Sequence, residues 1–149
     1  RRIRPLSLDE LGLNTVLVSL CKTVAKESHL NYQLNLPADN IKLSKDLELC
    51  IYRVVQEALN NIIKHSKASG FSINLNLSDG SVTLGISDDG IGFKPSILLN
   101  DKYISDGLGI MNMQERIERL NGKLHIDSSI NKGTIIFVYF PLTEEVYAK

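Results

Sequence analysis

The chain has 149 residues, a length typical of one domain, and its 43% hydrophobic content is enough for a sizeable core. Seventeen basic and seventeen acidic residues give a formal net charge of zero, which argues against a nucleic-acid-binding face or a polybasic membrane anchor. No apolar run reaches the length of a membrane span and no signal peptide opens the sequence, so we expect a cytoplasmic domain.

Cysteine usage and the first residues bear on the context of the chain. Cys21 and Cys50 stand singly within predicted helices, so we expect two buried thiols in a reducing compartment rather than a disulfide. The sequence begins without a methionine, and we expect a fragment of a longer protein. Residues 1–5 would then end an upstream linker, residues 6–142 would form the domain, and residues 143–149 would be a frayed tail.

The N-terminal part is predicted to form a helix followed by a strand. Apolar residues recur at helical spacing through Leu13–Ala25, which predicts one helix running to about His29. Ser7 is the predicted cap of this helix, and Gly12 weakens its first part. The alternation of apolar and polar residues in Tyr32–Leu36 then predicts a short strand.

The central stretch Tyr52–His65 predicts a buried helix, capped by Ser44, that carries a polar stripe. Glu57 and Asn61 stand four residues apart, so their side chains share one face of this helix. A carboxylate and an amide that are buried without partners cost on the order of several kcal/mol. We therefore expect either polar partners for this pair or a ligand together with its metal.

A hairpin and a glycine-bracketed loop follow the central helix. The alternating runs Phe71–Leu77 and Val82–Ile86 flank Asp79-Gly80, a pair typical of a tight hairpin turn. Residues 93–106 have no clear period and have two glycines on each side, which predicts a mobile, lid-like loop. The bracketing glycines are Gly90, Gly92, Gly107 and Gly109.

The C-terminal third is predicted to hold a helix and a second strand pair. Gly107–Gly109 opens the helix Ile110–Leu120, whose N-terminus would favour a phosphate, and Asn121-Gly122 closes it. Leu124–Asp127 and Thr134–Phe140 form the predicted strands.

The predicted order of elements is helix, strand, helix, strand, strand, helix, strand, strand. Strands that pair mostly as hairpins, with three helices on one face of the sheet, predict an α+β two-layer sandwich with a largely antiparallel sheet. A doubly wound parallel sheet would need helices between all strands. Neither glycine pair fits a P-loop or a dinucleotide-binding fingerprint.

Three side chains are candidates for binding or catalysis. Asp88 follows a strand of β-branched and apolar residues, so its partly buried carboxylate could accept a hydrogen bond from a purine amine. With Asp89 it could instead cap a turn. Asn61 could bind Mg²⁺ and Glu57 could orient or deprotonate a reacting group, but both could equally join a hydrogen-bond network of the helix.

Other polar residues give weaker signals. Lys64 and His65 stand where a helix C-terminus often carries cations. His29 and His125 have no partner cluster, and we assign them no role. The sequence has neither zinc-ligand spacing nor a nucleophile motif.

Four motifs, in order, resemble those of the GHKL ATPases. They are Gln56–Asn61 with Lys64-His65 (the N box), Asp88–Gly92 (DxGxG), Gly107–Met111 (GLG), and Gly133-Thr134 before the last strand. The QEALxN form of the N box, with Arg4–Leu13 and Met113–Arg116, is similar to the catalytic domain of bacterial two-component sensor histidine kinases that phosphorylate LuxR-type response regulators. The resemblance covers almost the whole chain and implies the Bergerat sandwich fold.

The resemblance also implies a role for each site residue. Asn61 would coordinate the Mg²⁺ that bridges the ATP phosphates, and Glu57 would be the acid/base or water-orienting residue. Asp88 would bind the adenine amino group with support from Thr134, and residues 93–106 would be the ATP lid. Gly90 and Gly92 would let the chain pass the base, and the residues near the phosphates or ribose would be Lys64, His65, Gly107, Leu108 and Gly109.

The partners implied are ATP, dimerisation helices of the same parent protein and a cognate response regulator. The γ-phosphoryl group would pass to a histidine in those helices, because no histidine of this chain has the context of a phosphoacceptor. This chain would therefore bind ATP without phosphorylating itself. We expect it to be a monomer, and its parent, whether or not it is membrane-bound, to be a homodimer.

Two other functions stay open. One is a hydrolytic ATPase like the gyrase, chaperone and mismatch-repair branches, against which the short lid and the absence of a transducer domain after Phe140 argue. The other is a nucleotide-binding interaction module without catalysis. Intact Glu57, Asn61 and Asp88 argue against that second alternative.

Overall fold

The structure is a computed structural model that describes residues 5–38, 43–91 and 108–142, without the side chains of residues 65, 66 and 108–111. Helices and strands alternate along the chain much as the sequence predicts. The helices are α1 (Leu6–Leu11), α2 (Leu13–Ser28), α3 (Lys45–Asn61) and α4 (Leu108–Arg119), with a π-helical turn at Ile62–Ser66 directly after α3. The strands are β1 (Asn31–Asn35), β2 (Gly70–Ser78), β3 (Ser81–Asp88), β4 (Lys123–Ser129) and β5 (Gly133–Pro141).

The five strands form one sheet in the order β1-β2-β3-β5-β4. Among the strands in the described residues, the β1–β2 pair alone is parallel, and the other three pairs are antiparallel. Alternate residues of β2, β3 and β5 are buried beneath the helices, while those between them face away. The predicted α+β sandwich with a largely antiparallel sheet is confirmed.

Helix α3 is the centre of the core, because it packs against α2, α4 and β3. Its inner face is buried, and each buried leucine, isoleucine or valine side chain there stabilises the fold by about 1.5–3 kcal/mol relative to exposure. Burial raises the pKa of Cys21 to about 11 and that of Cys50 to about 12, so both thiols stay protonated at neutral pH. The predicted pair of free, buried thiols is confirmed.

The prediction of a single N-terminal helix is wrong, because Gly12 divides this segment into α1 and α2. Gly12 has φ 86° and ψ 163°, a conformation that side chains disfavour, and its N–H donates to the carbonyl of Leu8. Ser7 lies inside α1, where Pro5 takes the N-cap position, so the predicted Ser7 cap is also wrong. The second predicted cap is confirmed, since the Oγ of Ser44 accepts a hydrogen bond from the Leu47 N–H at 3.1 Å.

Two residues, Asn121 and Gly122, end helix α4. Asn121 takes the left-handed conformation, with φ 61°, and Gly122 donates its N–H to the carbonyl of Ile117. A Cβ at Gly122 would lie 2.8 Å from side-chain atoms of both Ile117 and Phe140. Glycine is therefore needed at this position for close packing rather than for its backbone angles.

None of the helices in the described residues combines the length and the apolarity that crossing a membrane requires.

Candidate functional site

The first side of the site is the C-terminal end of α3. Glu57 and Asn61 are partly exposed, whereas Ala58 and Leu59 between them are buried, so the helix presents a polar edge beside its apolar face. The backbone widens into the π turn immediately after Asn61, and such turns often occur at functional sites. This places the predicted carboxylate–amide pair on one edge, as its spacing required.

The π turn carries the next predicted residues. Lys64 is exposed within it, which leaves its ammonium group available to an anion. The backbone of His65 lies in the same turn, but its side chain is outside the description. Lys67 ends the turn in the left-handed conformation, with φ 53°, and directs the chain toward β2.

The second side of the site is the end of β3, where Asp88 pairs with Thr134 of β5. Its carboxylate is partly buried, and one oxygen accepts a hydrogen bond from the Gly90 N–H at 2.8 Å. Burial raises the pKa of Asp88 above its ordinary value of 3.8, and the charge of Asp89 adds to that effect, while hydrogen bonds from the Gly90 and Thr134 backbones oppose it. Such a carboxylate is an acceptor suited to an amine donor.

Asp89 joins the two sides of the site. Its carboxylate accepts hydrogen bonds from the Ser69 N–H at 2.8 Å, the Ser69 hydroxyl at 2.5 Å and the Gly70 N–H at 3.1 Å. The Ser69 side chain and the Gly70 backbone lower the pKa of Asp89, although the group is exposed. Ser69 and Gly70 follow the π turn, so this clamp links the exit of α3 to the end of β3.

A hydroxyl pair supports the site from β4 and β5. The Oγ of Ser128 lies 2.8 Å from the Oγ1 of Thr134 and donates to the carbonyl of Gly133 at 3.2 Å. Gly133 has φ 82°, and a Cβ there would overlap the carbonyl oxygen of Asp88. Ser128 is buried, and it was missed from the sequence because only the strand register places it opposite Thr134.

The loop after Asp88 is held against the neighbouring turn. Gly90 is buried, and the carbonyl of Ile91 accepts a hydrogen bond from the Asn131 N–H at 2.5 Å. Gly92, Gly107 and the predicted lid at 93–106 lie outside the described residues. Leu108 and Gly109 begin α4, as the glycine motif predicted.

The donors on α3 set limits on metal binding. Among the described residues, no group of three or more His, Cys, Asp or Glu side chains could hold a metal ion. Asn61 and Glu57 together offer one amide oxygen and one carboxylate. Mg²⁺ accepts few protein ligands when phosphate oxygens and waters complete its shell, so this donor set fits a metal that arrives with a phosphate ligand.

A cleft of about 270 Å³ lies at the other end of the β2–β3 hairpin, beside the α1–α2 junction. Its lining combines leucines, among them Leu11, Leu75 and Leu77, with polar residues that include Glu48. The Leu77–Val82 pair beside it is six positions from the Phe71–Asp88 pair along the same ladder, a distance of about 20 Å. The cleft is therefore separate from the candidate site that contains Asp88 and Asn61.

Comparison with protein families matches residues 46–144 to the family described as histidine kinase-, DNA gyrase B-, and HSP90-like ATPase. The oxygen sensor histidine kinase NreB of Staphylococcus carnosus is 38% identical over 144 residues, which cover 95% of this chain and 40% of NreB. The sensor histidine kinase MctS of Rhizobium johnstonii is 33% identical over 139 residues, which cover 93% of this chain and 30% of MctS. The chain thus spans less than half the length of these curated relatives.

Solved structures show the same fold at low sequence identity. The histidine kinase domain of the blue-light activated kinase EL346 from Erythrobacter litoralis superposes with a TM-score of 0.72 at 18% identity, over 89% of this chain and 62% of that one. The histidine kinase AdeS of Acinetobacter baumannii gives a TM-score of 0.68 at 18% identity, over 88% of this chain and 64% of that one.

Proposed function

The chain belongs to the histidine kinase-, DNA gyrase B-, and HSP90-like ATPase family, and on that premise we propose that it is the catalytic domain of a two-component sensor histidine kinase. It binds ATP with Mg²⁺ and supplies the γ-phosphoryl group to a histidine on another domain of the parent protein. The observation that carries the proposal is the partly buried Asp88 carboxylate, joined through the Asp89 clamp to the helix that ends in Asn61.

Asp88 provides the recognition of adenine. An adenine amino group is a donor, and the two oxygens of a carboxylate have acceptor capacity for it beyond the hydrogen bonds from the Gly90 and Thr134 backbones. The hydroxyl pair of Thr134 and Ser128 lies beside Asp88 and supports the same ligand edge directly or through a water. Gly133 lets β5 approach the backbone of Asp88 closely, because any side chain at this position would overlap the Asp88 carbonyl.

The end of α3 provides the phosphate side. Asn61 holds the Mg²⁺ that accompanies the nucleotide, and Lys64 adds a cation near the phosphates. The metal, when bound, neutralises the charge of the phosphate oxygens. Their motif assigns Gly92, Gly107, Leu108 and Gly109 to contacts with the same nucleotide.

The transfer itself needs positioning and electrostatics rather than a covalent step on this chain. The bond between the γ-phosphorus and the β,γ-bridging oxygen breaks, and a bond forms from an imidazole nitrogen of the acceptor to that phosphorus. ADP leaves with the bridging oxygen, and Glu57 accepts the imidazole proton. We assign the acceptor to a separate domain, because none of the three histidines of this chain stands in the sequence context of a phosphoacceptor.

The proposal is tested with γ-labelled ATP and Mg²⁺, on this chain and on a version extended upstream through the helices that we expect to carry the acceptor histidine. We expect label that is acid-labile and base-stable on the extended protein only, followed by transfer to a cognate response regulator. An extended Asp88→Asn protein is the matched control and should acquire no label. Steady release of free phosphate by this chain, with no label on either protein, would instead establish a hydrolytic ATPase.

A further inference from the structure

The face of the sheet that points away from the helices carries an apolar stripe. Ile135, Phe137 and Tyr139 of β5 are exposed by 50%, 43% and 37%. They alternate with the buried residues of the same strand, so all three project from one face of a strand that has neighbours on both sides. Three large apolar side chains in one exposed row are typical of an interaction surface.

The strands on either side of the stripe differ in character. On β4, Lys123, His125 and Asp127 are the register partners of Tyr139, Phe137 and Ile135 respectively, and all three are exposed. On β3, Gly85 is the partner of Phe137, and no atom lies within 4 Å of the position that a Cβ would take there. The stripe therefore has a charged flank and an open flank.

We propose that this face binds a second copy of the same chain, so that the two sheets face each other and their β5 strands run antiparallel. The twofold axis lies between the two sheets, perpendicular to the strands and level with Phe137. The axis brings each Phe137 onto its counterpart and each Ile135 toward Tyr139 of the second copy. Because the axis keeps β4 above β4, Lys123 of one chain faces Asp127 of the second copy, and the same pair forms again on the other side of the axis. The flank is thus complementary to itself in charge.

The spacings support this pairing. Lys123 and Asp127 are four residues apart, as are Tyr139 and Ile135, so both rows span about 13 Å and match when one is reversed. Facing sheets pack about 10 Å apart, a separation that a lysine and an aspartate together can bridge. A single strand's row makes a small contact, below the area of a stable interface, so association should be weak, with a dissociation constant of about 0.1 to 1 mM.

The inference is independent of ATP and is tested by sedimentation equilibrium of this chain from about 10 µM to 1 mM. We expect reversible dimerisation at the upper concentrations. Lys123→Asp and Asp127→Lys should each weaken it at least fivefold, because each single change places like charges opposite one another. The double variant Lys123→Asp/Asp127→Lys should restore it to within about twofold of the original, since both pairs re-form with reversed sign.

The double variant and Phe137→Ser test the twofold arrangement directly. If it stays as weak as the single variants, or if Phe137→Ser dimerises like the original chain, the twofold arrangement is wrong. A chain that remains monomeric at 1 mM also overturns it. Unchanged far-ultraviolet circular dichroism and unchanged ATP affinity of every variant show that the fold and the nucleotide site are intact.

Discussion

Two neighbouring carboxylates at the end of β3 occupy opposite environments. Asp88 is partly buried, its pKa is raised by that burial, and it faces the proposed adenine site. Asp89 is exposed, its pKa is lowered, and its oxygens are engaged by Ser69 and Gly70. The two residues are of the same type and adjacent in sequence, so solvation and available donors decide which carboxylate recognises a ligand and which one holds the backbone.

The largest expected effect comes from making the same exchange at both positions. Asp88→Asn should lower ATP affinity by about 100-fold or more, because an amide nitrogen facing the adenine amine leaves two donors opposed. Asp89→Asn should stay within about threefold of the original protein, because its amide oxygen still accepts from the Ser69 and Gly70 N–H groups. Isothermal titration with ATP measures both.

Equal losses of ATP affinity in Asp88→Asn and Asp89→Asn would contradict the assignment of ligand recognition to Asp88 alone. Thermal unfolding of the same proteins is the control, since a shared loss of stability could lower affinity for a reason unrelated to recognition. Retained affinity in Asp88→Asn would place the adenine elsewhere.

The next effect separates the two sides of the site. Asn61→Ala should weaken MgATP binding on the order of 10- to 100-fold, because a ligand of the metal is lost. Nucleotide binding in the presence of a chelator should change less than about threefold. The exposed Asn60 is a matched control, and Asn60→Ala should change neither affinity. Equal weakening of Asn61→Ala with and without Mg²⁺ would count against a metal-binding role.

The two carboxylates should also have opposite effects on stability in acid. Asp89 has a folded-state pKa below 3.8, so the stability it supplies is present above that value and is lost as the pH falls through the folded pKa. Asp88 has a folded-state pKa above 3.8, so the folded state takes up its proton first and gains stability as the pH falls through that raised pKa. Urea unfolding between pH 5 and about pH 2.5 measures both signs.

Removing one carboxylate at a time should therefore change the pH dependence of the free energy of unfolding, below pH 5, in opposite directions. Relative to the original protein, Asp89→Asn should lose less stability on acidification and Asp88→Asn should lose more. Parallel acid limbs in the two variants would show that the neighbouring environments do not differ as described.

Much of the fold was predictable because its signals are local. The turn at Asp79-Gly80, the Ser44 cap and the alternation in β2 and β3 each depend on residues a few positions apart. The break at Gly12 was foreseen only as a weakness, because whether a glycine interrupts a helix depends on how the flanking segments pack. The π turn after Asn61 has no pattern that the sequence alone displays.

The site divides in the same way. Glu57, Asn61 and Asp88 were identified from spacing and motif, whereas the Asp89 clamp joins residues 19 and 20 positions apart and depends on the tertiary approach of two elements. Ser128 was missed because a serine in a strand is unremarkable until the register with β5 is known.

The smallest expected effect concerns that hydroxyl pair. Ser128→Ala removes a buried hydrogen bond to the Gly133 carbonyl and a partner of Thr134, so the free energy of unfolding should fall by about 1 kcal/mol. ATP affinity should fall less than about threefold, because Asp88 keeps its bond from Gly90 and its place in the ladder. Thr134→Val, which removes the hydroxyl nearer to Asp88, should weaken binding more than Ser128→Ala does. The opposite order of affinities would make Ser128, rather than Thr134, the hydroxyl that supports the ligand.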